Sequence, residues 1–452
     1  MKKVVIFIND GVSLRNFIFS NFLEVKKDFE IEIWYDLPVT LKLDGCKTYK
    51  TSFKTNAFTD LLKSSYIYAK LKDFAFKLNE EIFNDYIFPD NKKGIKNTLK
   101  RSLKNLIAKI YKNRPEEILK LIELYEKNFV KQNRHFLNRI ELFKPDMFFF
   151  TSQRSSAFFS TISIAKKNNI QTATFIFSWD NPPKATLLYN TDYFFVWSDF
   201  MKNEILKYYN FVNKNQIMIT GTPQFEFHFN KRKLESSSLK KLSYVCFTGD
   251  DITSSPQDDL YLNDFATQIS KFNTNTGNNI KIIFRPCPVD FSNRYDWVLE
   301  LYSDLIIKIQ PKWDKIGNHW NSVIPKKEDN DDLSYILSNS IFVTNLGSSI
   351  VFDAACYSVP CAYINYNPNP ELILKDVNRA YRYKHFDSMK DKDSVYWVNK
   401  PSDWYRIIEE RLMNLPQNTV AQNAQQWFAS INQHPPQKAS ERIVEAIEKI
   451  LS

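Results

Sequence analysis

The sequence predicts an α/β protein of two domains, each built on a parallel sheet. Strand-length apolar runs alternate with helical patterns along most of the chain. A charged, Ser-rich segment without apolar periodicity, Asn230–Lys241, divides this alternation into two series. A chain of 452 residues, 43% of them hydrophobic, is also longer than one core usually serves. We therefore expect a first domain over residues 1–232 and a second over residues 242–420.

The first domain begins with a βαβ pattern. Lys3–Ile8 is an apolar run of the kind that is buried on both faces of a parallel sheet. A helical spacing of apolar residues follows, and Glu30–Leu37 then alternates like a second strand. This order favours a right-handed parallel crossover.

A helical insertion is predicted over about residues 60–143, where the pattern becomes long, Lys-rich and aromatic. Pro115 followed by Glu116 and Glu117 fits the first turn of a helix. Two interpretations stay open. The insertion is ordinary core with solvated lysine faces, or its basic and aromatic faces contact a membrane or a lipid-linked acceptor.

Beyond the insertion the α/β alternation returns and runs through both domains. Strands are predicted at Pro145–Ser152, Gln171–Phe177, Asp192–Ser198, Gln216–Phe225, Ser243–Asp251, Asn279–Pro288, Ser340–Val343 and Val359–Asn367. Two such series indicate two Rossmann-like domains. The tail, residues 421–452, has helical runs and could pack back across the first domain.

Composition limits the partners. The net charge of +10 permits nucleic acid, an anionic membrane or a phosphorylated substrate, but no zinc-finger spacing accompanies it, so we expect no nucleic-acid partner. The five cysteines form no CxxC pair and the five histidines have no metal-ligand spacing, so neither a metal nor a cofactor is predicted. No signal peptide or membrane-spanning run is apparent, which predicts a cytoplasmic protein, at most peripheral to the inner membrane.

The segment Thr344–Pro360, TNLGSSIVFDAACYSVP, carries the clearest functional pattern. A strand that leads through a Gly/Ser turn into a helix can bind an anion, because the free N–H groups of the first turn point at the ligand. Gly347, Ser348 and Ser349 form the turn, and Asp353 lies one turn further, within reach of a ribose hydroxyl.

In outline the chain resembles the GT-B glycosyltransferases, and within them the bacterial capsule and O-antigen transferases and the related CDP-glycerol glycerophosphotransferases. The segments that carry the resemblance are Phe177–Ala185, Val196–Ile205, Ile219–Phe227, Phe284–Pro288 and Thr344–Pro360. The resemblance implies two sheets that face an interdomain cleft, a nucleotide-sugar donor in the second domain, and a glycan or lipid-linked glycan acceptor. It also implies donor phosphate or nucleotide contacts by Gly249, Gly347, Ser348, Ser349 and Asp353.

One segment departs from that pattern. Relatives usually have His between the two prolines of FRPCP, where this chain has Cys287. A thiol of ordinary pKa is neutral at pH 7 and a poor phosphate partner, so Arg285 is the candidate for the phosphate contact, and a surface salt bridge is its alternative.

Catalysis by inversion would need a base for the acceptor hydroxyl. Asp10 and Asp180 both follow predicted strands, where such folds place ligands; the alternative for Asp10 is a turn or an N-cap. Arg15, Trp179 and Asn181 are the candidates for acceptor or sugar binding, although an aromatic such as Trp179 is more often core.

The predicted function is transfer of a sugar from a nucleotide donor to a surface glycan such as capsule, O-antigen or lipooligosaccharide. Three alternatives stay open: polyol-phosphate transfer from a CDP-alditol, UDP-sugar epimerisation, and a non-catalytic nucleotide- or sugar-binding scaffold.

Overall fold

The apolar runs pair into two parallel sheets, one in each of two units of the chain. The computed structural model describes residues 1–87, 93–128, 135–230, 238–317, 322–413 and 419–452. The first unit comprises Met1–Pro223 and Ile431–Ser452, and the second comprises Gln224–Ser430. The first stretch of the first unit thus ends at Pro223, before residue 232, where the first domain was predicted to end. Residues 231–237 of the predicted linker lie outside the described part.

The sheet of the first unit has seven parallel strands in the order β3-β2-β1-β4-β5-β6-β7. They are β1 (Lys2–Ile8), β2 (Phe29–Tyr35), β3 (Lys47–Lys50), β4 (Met147–Phe150), β5 (Gln171–Phe175), β6 (Tyr193–Val196) and β7 (Ile217–Ile219). Val4–Ile8 of β1 are fully buried, since β1 pairs with a strand on each side and both sheet faces are covered.

Seven helices accompany this sheet. They are α1 (Gly11–Phe17), α2 (Ala57–Lys77), α3 (Ile95–Ile110), α4 (Glu116–Asn128), α5 (Phe136–Phe143), α6 (Phe158–Lys167) and α7 (Asp199–Tyr208). Helices α2 to α5 lie between β3 and β4 in the sequence, where the insertion was predicted. Side-chain caps begin α2 and α7, because Asn56 accepts from the Phe58 N–H and Ser198 from the Met201 N–H.

The second unit has a six-stranded parallel sheet in the order β10-β9-β8-β13-β14-β15 and an antiparallel pair, β11 and β12. The strands are β8 (Tyr244–Thr248), β9 (Lys281–Arg285), β10 (Ile306–Lys308), β11 (Trp313–Lys315), β12 (Val323–Pro325), β13 (Val343–Asn345), β14 (Cys361–Ile364) and β15 (Tyr396–Val398). Its helices are α8 (Asp258–Thr276), α9 (Asp296–Leu301), α10 (Glu328–Ser338), α11 (Ile350–Ala355), α12 (Asp403–Leu412) and α13 (Thr419–Ile431).

The last helix, α14 (Ala439–Leu451), belongs to the first unit. Arg442 on α14 donates through Nε to the Thr220 carbonyl at 2.7 Å, just after β7. Gly221 has a φ of +77°, and a Cβ there would lie 3.0 Å from the Arg442 guanidinium. The tail predicted over 421–452 is therefore divided: α13 up to Ser430 lies with the second unit, and the remainder with the first.

Two details differ from the sequence prediction. The strand predicted at Ser340–Val343 is assigned from Val343, although the Ile341 N–H already donates to the Tyr244 carbonyl at 2.9 Å. The edge strands β3, β10 and β15 and the antiparallel pair of β11 and β12 were not predicted. Within the described residues, no helix is long and apolar enough to cross a membrane.

Candidate functional site

A cavity of about 170 Å³ lies at the carboxyl edge of the second unit's sheet. Strand order reverses between β8 and β13, and residues that follow both strands line the cavity. Open α/β sheets bind ligands in the crevice at this topological switch point. The lining consists of Asp250, Ser254, Leu346, Gly347, Lys375, Asp376, Val377, Ala380, Tyr383, His385 and Phe386.

Gly347 brings the backbone after β13 to the cavity wall. Its φ is +70°, and an added Cβ would lie 3.1 Å from the Tyr381 ring and 3.3 Å from the Phe386 ring. Only glycine fits this turn without strain. The next residue is held in place, since its N–H donates to Asn345 Oδ1 at 2.8 Å and Tyr363 donates to the Ser348 carbonyl at 2.9 Å.

The Gly/Ser turn that was predicted to bind an anion is therefore present as a turn, but only part of it lies at the cavity. Gly347 lines the cavity, whereas Ser348 and Ser349 are not among its described lining residues. Helix α11, which follows, has six residues, and the Ser349 side chain makes no capping bond.

Acidic groups gather after β8, and one of them, Asp250, lines the cavity. Burial, together with the neighbouring Asp258 and Asp251 carboxylates, raises the pKa of Asp250 well above its ordinary value and favours the neutral acid. Asp258 is buried too, and burial raises its pKa to about 6 even though Tyr295 donates to its Oδ2 at 2.7 Å. For Asp251 the burial is outweighed by hydrogen bonds from Thr253 and Ser254, which lower its pKa.

Gly249 supports this acidic loop through close packing. A Cβ at Gly249 would lie 2.9 Å from the Tyr295 hydroxyl and 3.3 Å from Asp258 Oδ2. Arg294 holds the loop from the other side, since its Nη2 donates to the Asp250 carbonyl at 2.6 Å and to Asp290 Oδ2 at 2.6 Å. Gly249 is therefore needed for the close packing of this loop.

Lys375 supplies a cation at the cavity wall. Its Nζ donates to the Thr253 carbonyl at 3.1 Å. Burial lowers the pKa of Lys375, while the nearby Asp251 and Asp250 oppose that effect. Because Lys375 stands beside the acids and Asp250 favours its neutral form, a phosphate in the cavity would meet less negative charge than the sequence Asp250–Asp251 suggests.

Asp353, the candidate for a ribose contact, has a buried partner in the same unit. Its Oδ1 lies 2.7 Å from His228 Nε2. The other ring nitrogen of His228 lies 3.1 Å from Ser334 Oγ and 3.0 Å from the Tyr357 hydroxyl. The side chains of both residues are at most 5% exposed. The carboxylate of Asp353 is therefore engaged in a structural contact with His228, and this geometry does not support a ribose contact.

Arg285, the candidate for a phosphate contact, is paired as well. Its Nη2 lies 2.8 Å from both carboxylate oxygens of Asp329, and both side chains are 7% exposed. The salt-bridge alternative is what the structure shows, with the pair buried instead of at the surface. Burial raises the pKa of the neighbouring Cys287 thiol to about 12, so Cys287 stays neutral.

The first-unit candidates lie at the carboxyl edge of its sheet, after β1 and β5. Asp10 caps α1, since its Oδ1 accepts from the Ser13 N–H at 2.7 Å. Asp180 accepts from Asn181 Nδ2 at 2.8 Å and pairs with Lys184. The N-cap alternative for Asp10 is thus present, and a cap does not prevent a carboxylate from accepting a further proton.

The acceptor candidates are mostly interior. Trp179 is 6% exposed, Asn181 is 4% exposed, and Asn181 Oδ1 accepts from Gln153 Nε2 at 2.7 Å. Arg15 is half-buried on α1. The packing of Trp179 and Asn181 fits the core alternative.

Sequence reasoning missed Lys375, Asp258 and Arg294. Lys375 comes from an irregular segment after β14, where no periodic pattern marks it. The Gly/Ser turn at Gly347 is the local signal in the sequence that pointed to this edge of the sheet. Among the described residues, no group of His, Cys, Asp and Glu is arranged to hold a metal ion.

Comparison with known proteins places the fold. No protein-family model and no curated protein matches the chain. The S. aureus MnaA–UDP co-structure covers 100% of this chain and 97% of its own, at 12% identity and a TM-score of 0.53. A putative UDP-N-acetylglucosamine 2-epimerase from Listeria monocytogenes covers 100% and 97%, at 11% identity and a TM-score of 0.54.

A third solved structure, Phytolacca americana UGT2 complexed with UDP-2-fluoro-glucose and pterostilbene, covers 100% of both chains at 9% identity and a TM-score of 0.50. At such identities the likeness concerns the fold. Together with the two parallel Rossmann-like sheets, it confirms the predicted GT-B architecture.

Proposed function

We propose that the protein is a nucleotide-sugar-dependent enzyme whose donor site is the cavity between the ends of β8 and β13. The observation that carries this proposal is the cavity's position at the switch point of a parallel sheet, with glycine backbone on one wall and Lys375 on another. Two of the structural neighbours are complexes with UDP or with UDP-2-fluoro-glucose, which supports the same ligand class.

The cavity offers two contributions to catalysis. The backbone at Gly347 allows close approach of a diphosphate, and the Lys375 ammonium stabilises the negative charge that grows on the leaving group. Holding the donor in one orientation lowers the entropic part of the barrier.

The reaction that we propose is glycosyl transfer to a surface-glycan acceptor at the cytoplasmic face of the membrane. Asp10 and Asp180 remain the candidates for the base. UDP-sugar epimerisation is the second candidate, because the putative UDP-N-acetylglucosamine 2-epimerase from Listeria monocytogenes aligns over nearly the full length of both chains.

Nucleotide titration tests the donor site. Thermal-shift and calorimetric titrations with UDP, CDP, GDP, dTDP and CMP are expected to show binding by at least one diphosphate. Lys375→Gln should weaken that binding about tenfold, the effect of losing one charge-assisted contact of about 1.5 kcal/mol. Lys400→Gln, an exposed lysine of the same unit outside the cavity lining, is the matched control and should bind like wild type. The donor-site proposal fails if no nucleotide binds, or if both variants weaken binding equally.

Turnover assays separate the two reactions. A transferase releases nucleotide only when an acceptor is present, whereas an epimerase changes its sugar without one. Asp10→Asn and Asp180→Asn test the base, because an amide keeps the hydrogen-bonding shape but cannot take the proton. Wild-type turnover in both variants would remove both residues as candidates.

A further inference from the structure

Helix α3 presents its apolar side to solvent. Ile95, Leu99, Leu103, Leu106 and Ile110 repeat at helical spacing, and their side chains are 40–90% exposed. We call these five residues the α3 stripe. Ala108, on the opposite side of the helix, is the one fully buried residue of α3. A surface helix normally buries its apolar stripe against the core, so α3 has the reverse orientation.

The inner side of α3 carries both apolar and cationic residues, since Ala108 is buried and Ile107 and Tyr111 pack against the core of the first unit. Arg101 and Lys104 are partly buried, and with Lys100 they line a cavity of about 280 Å³ against α2. Lys104 Nζ lies 5.2 Å from the centre of the Tyr68 ring on α2. The insertion therefore holds α3 through these inner apolar and cationic residues, and it leaves the α3 stripe without a partner among the described residues.

Cations also border the α3 stripe on its outer side. At 100° per residue, Lys96 and Lys100 lie along one edge and Lys109 along the other, and all three are exposed. Residues 95–112 contain six Lys or Arg and no Asp or Glu. The apolar surface continues onto Phe76 at the end of α2, which is 77% exposed and has Lys112 Nζ 5.8 Å from its ring centre.

We propose that the α3 stripe and its bordering lysines form a docking surface for an anionic membrane. The aliphatic side chains enter the boundary between headgroups and acyl chains, and the lysines contact the anionic headgroups. The positive charge of this surface distinguishes between its two possible occupants, an anionic membrane and a second copy of the chain. A second copy docked about a two-fold axis would bring two sets of the same cations together, whereas anionic lipid neutralises them. The surface lies in the insertion, away in sequence from the nucleotide cavity, so the proposal does not rest on the proposed function.

Vesicle sedimentation of the full chain tests this surface. Vesicles of phosphatidylcholine alone are compared with vesicles that contain one quarter phosphatidylglycerol, at 0.1 M salt. Wild type should partition at least tenfold more strongly onto the anionic vesicles, and the preference should shrink at 0.5 M salt. Leu99→Ser/Leu106→Ser and Lys100→Gln/Lys109→Gln should each lose about tenfold in partitioning or more.

Matched controls keep the result specific. Leu142→Ser/Leu301→Ser changes two leucines that are 75% and 63% exposed elsewhere, and Lys271→Gln/Lys308→Gln neutralises two exposed lysines elsewhere. Both controls should partition like wild type. Nucleotide binding should be unchanged in all four variants, which also shows that they fold and separates this proposal from the donor site.

Three outcomes would overturn the proposal. The α3 variants could partition like their controls. Wild type could bind neutral and anionic vesicles equally, which would leave no role for the lysines. Alternatively, sedimentation equilibrium could reveal a dimer that Leu99→Ser/Leu106→Ser dissociates while vesicle binding is absent, which would assign the surface to a second copy.

Discussion

Replacing Asp329 with alanine should destabilise the second unit strongly, because Asp329 neutralises a buried guanidinium. Its carboxylate accepts from Arg285 Nη2 through both oxygens at 2.8 Å, from the Lys312 N–H at 2.7 Å and from Trp313 Nε1 at 2.8 Å. Breaking a buried ion pair by removing one partner costs about 3–5 kcal/mol, and each buried donor left without an acceptor costs about 1–3 kcal/mol. Since these costs overlap, we expect Asp329→Ala to lose about 4 kcal/mol.

The partner substitution sharpens the test. Arg285→Met with Asp329→Ala removes both charges, so the double variant should be more stable than Asp329→Ala alone by about 1–2 kcal/mol.

The contribution of Asp329 to stability depends on pH with a defined sign. Burial alone would raise the pKa of Asp329, but Arg285 and the hydrogen bonds outweigh burial and lower it below 3.8. Its contribution is therefore present above about pH 4 and is lost as the pH falls below that.

Urea titration combined with hydrogen exchange of peptides from residues 224–430 measures the change in the unit that contains the pair. A loss below about 1 kcal/mol in Asp329→Ala would refute the buried-pair account. So would a tenfold weaker nucleotide affinity in Arg285→Met at unchanged stability, because Arg285 would then contact phosphate as the sequence suggested.

Three other changes have defined outcomes. Asp10→Ala removes the cap of α1 and should cost about 1 kcal/mol in urea titration, and an unchanged midpoint would contradict the cap. Gly347→Ala forces a side chain into a φ of +70° against Tyr381, so it should lose about 1–2 kcal/mol together with nucleotide affinity; wild-type affinity would contradict the cavity assignment. In wild type the raised pKa of Asp258, about 6 against 3.8, makes stability fall as the pH rises from about 4 to 6, by at most about 3 kcal/mol. Asp258→Asn should flatten that slope, and an unchanged slope would contradict the shift.

The longer strands of the two sheets are the part of the fold that the sequence predicts best. Continuous apolar runs such as Lys3–Ile8 are long enough to identify a buried parallel strand, and the alternation with helices fixes the α/β class. The edge strands β10 and β15, of three residues each, were not predicted.

The site is predicted less completely, for a physical reason. Gly347 follows from local turn chemistry and lies at the cavity as the pattern suggests. Asp353 and Arg285 instead meet His228 and Asp329, partners far away in the sequence that only the tertiary fold brings near. A charged residue in a motif can contact a ligand only if no other side chain in the folded protein pairs with it. A single sequence does not show whether such a pairing exists.

The proposed donor site is tested most directly by a crystal structure of the protein with the tightest-binding nucleoside diphosphate. The diphosphate is expected in the cavity between the ends of β8 and β13, beside the Gly347 backbone and within hydrogen-bond distance of Lys375 Nζ. A diphosphate bound elsewhere on the chain, or an empty cavity at saturating nucleotide, would contradict the proposal.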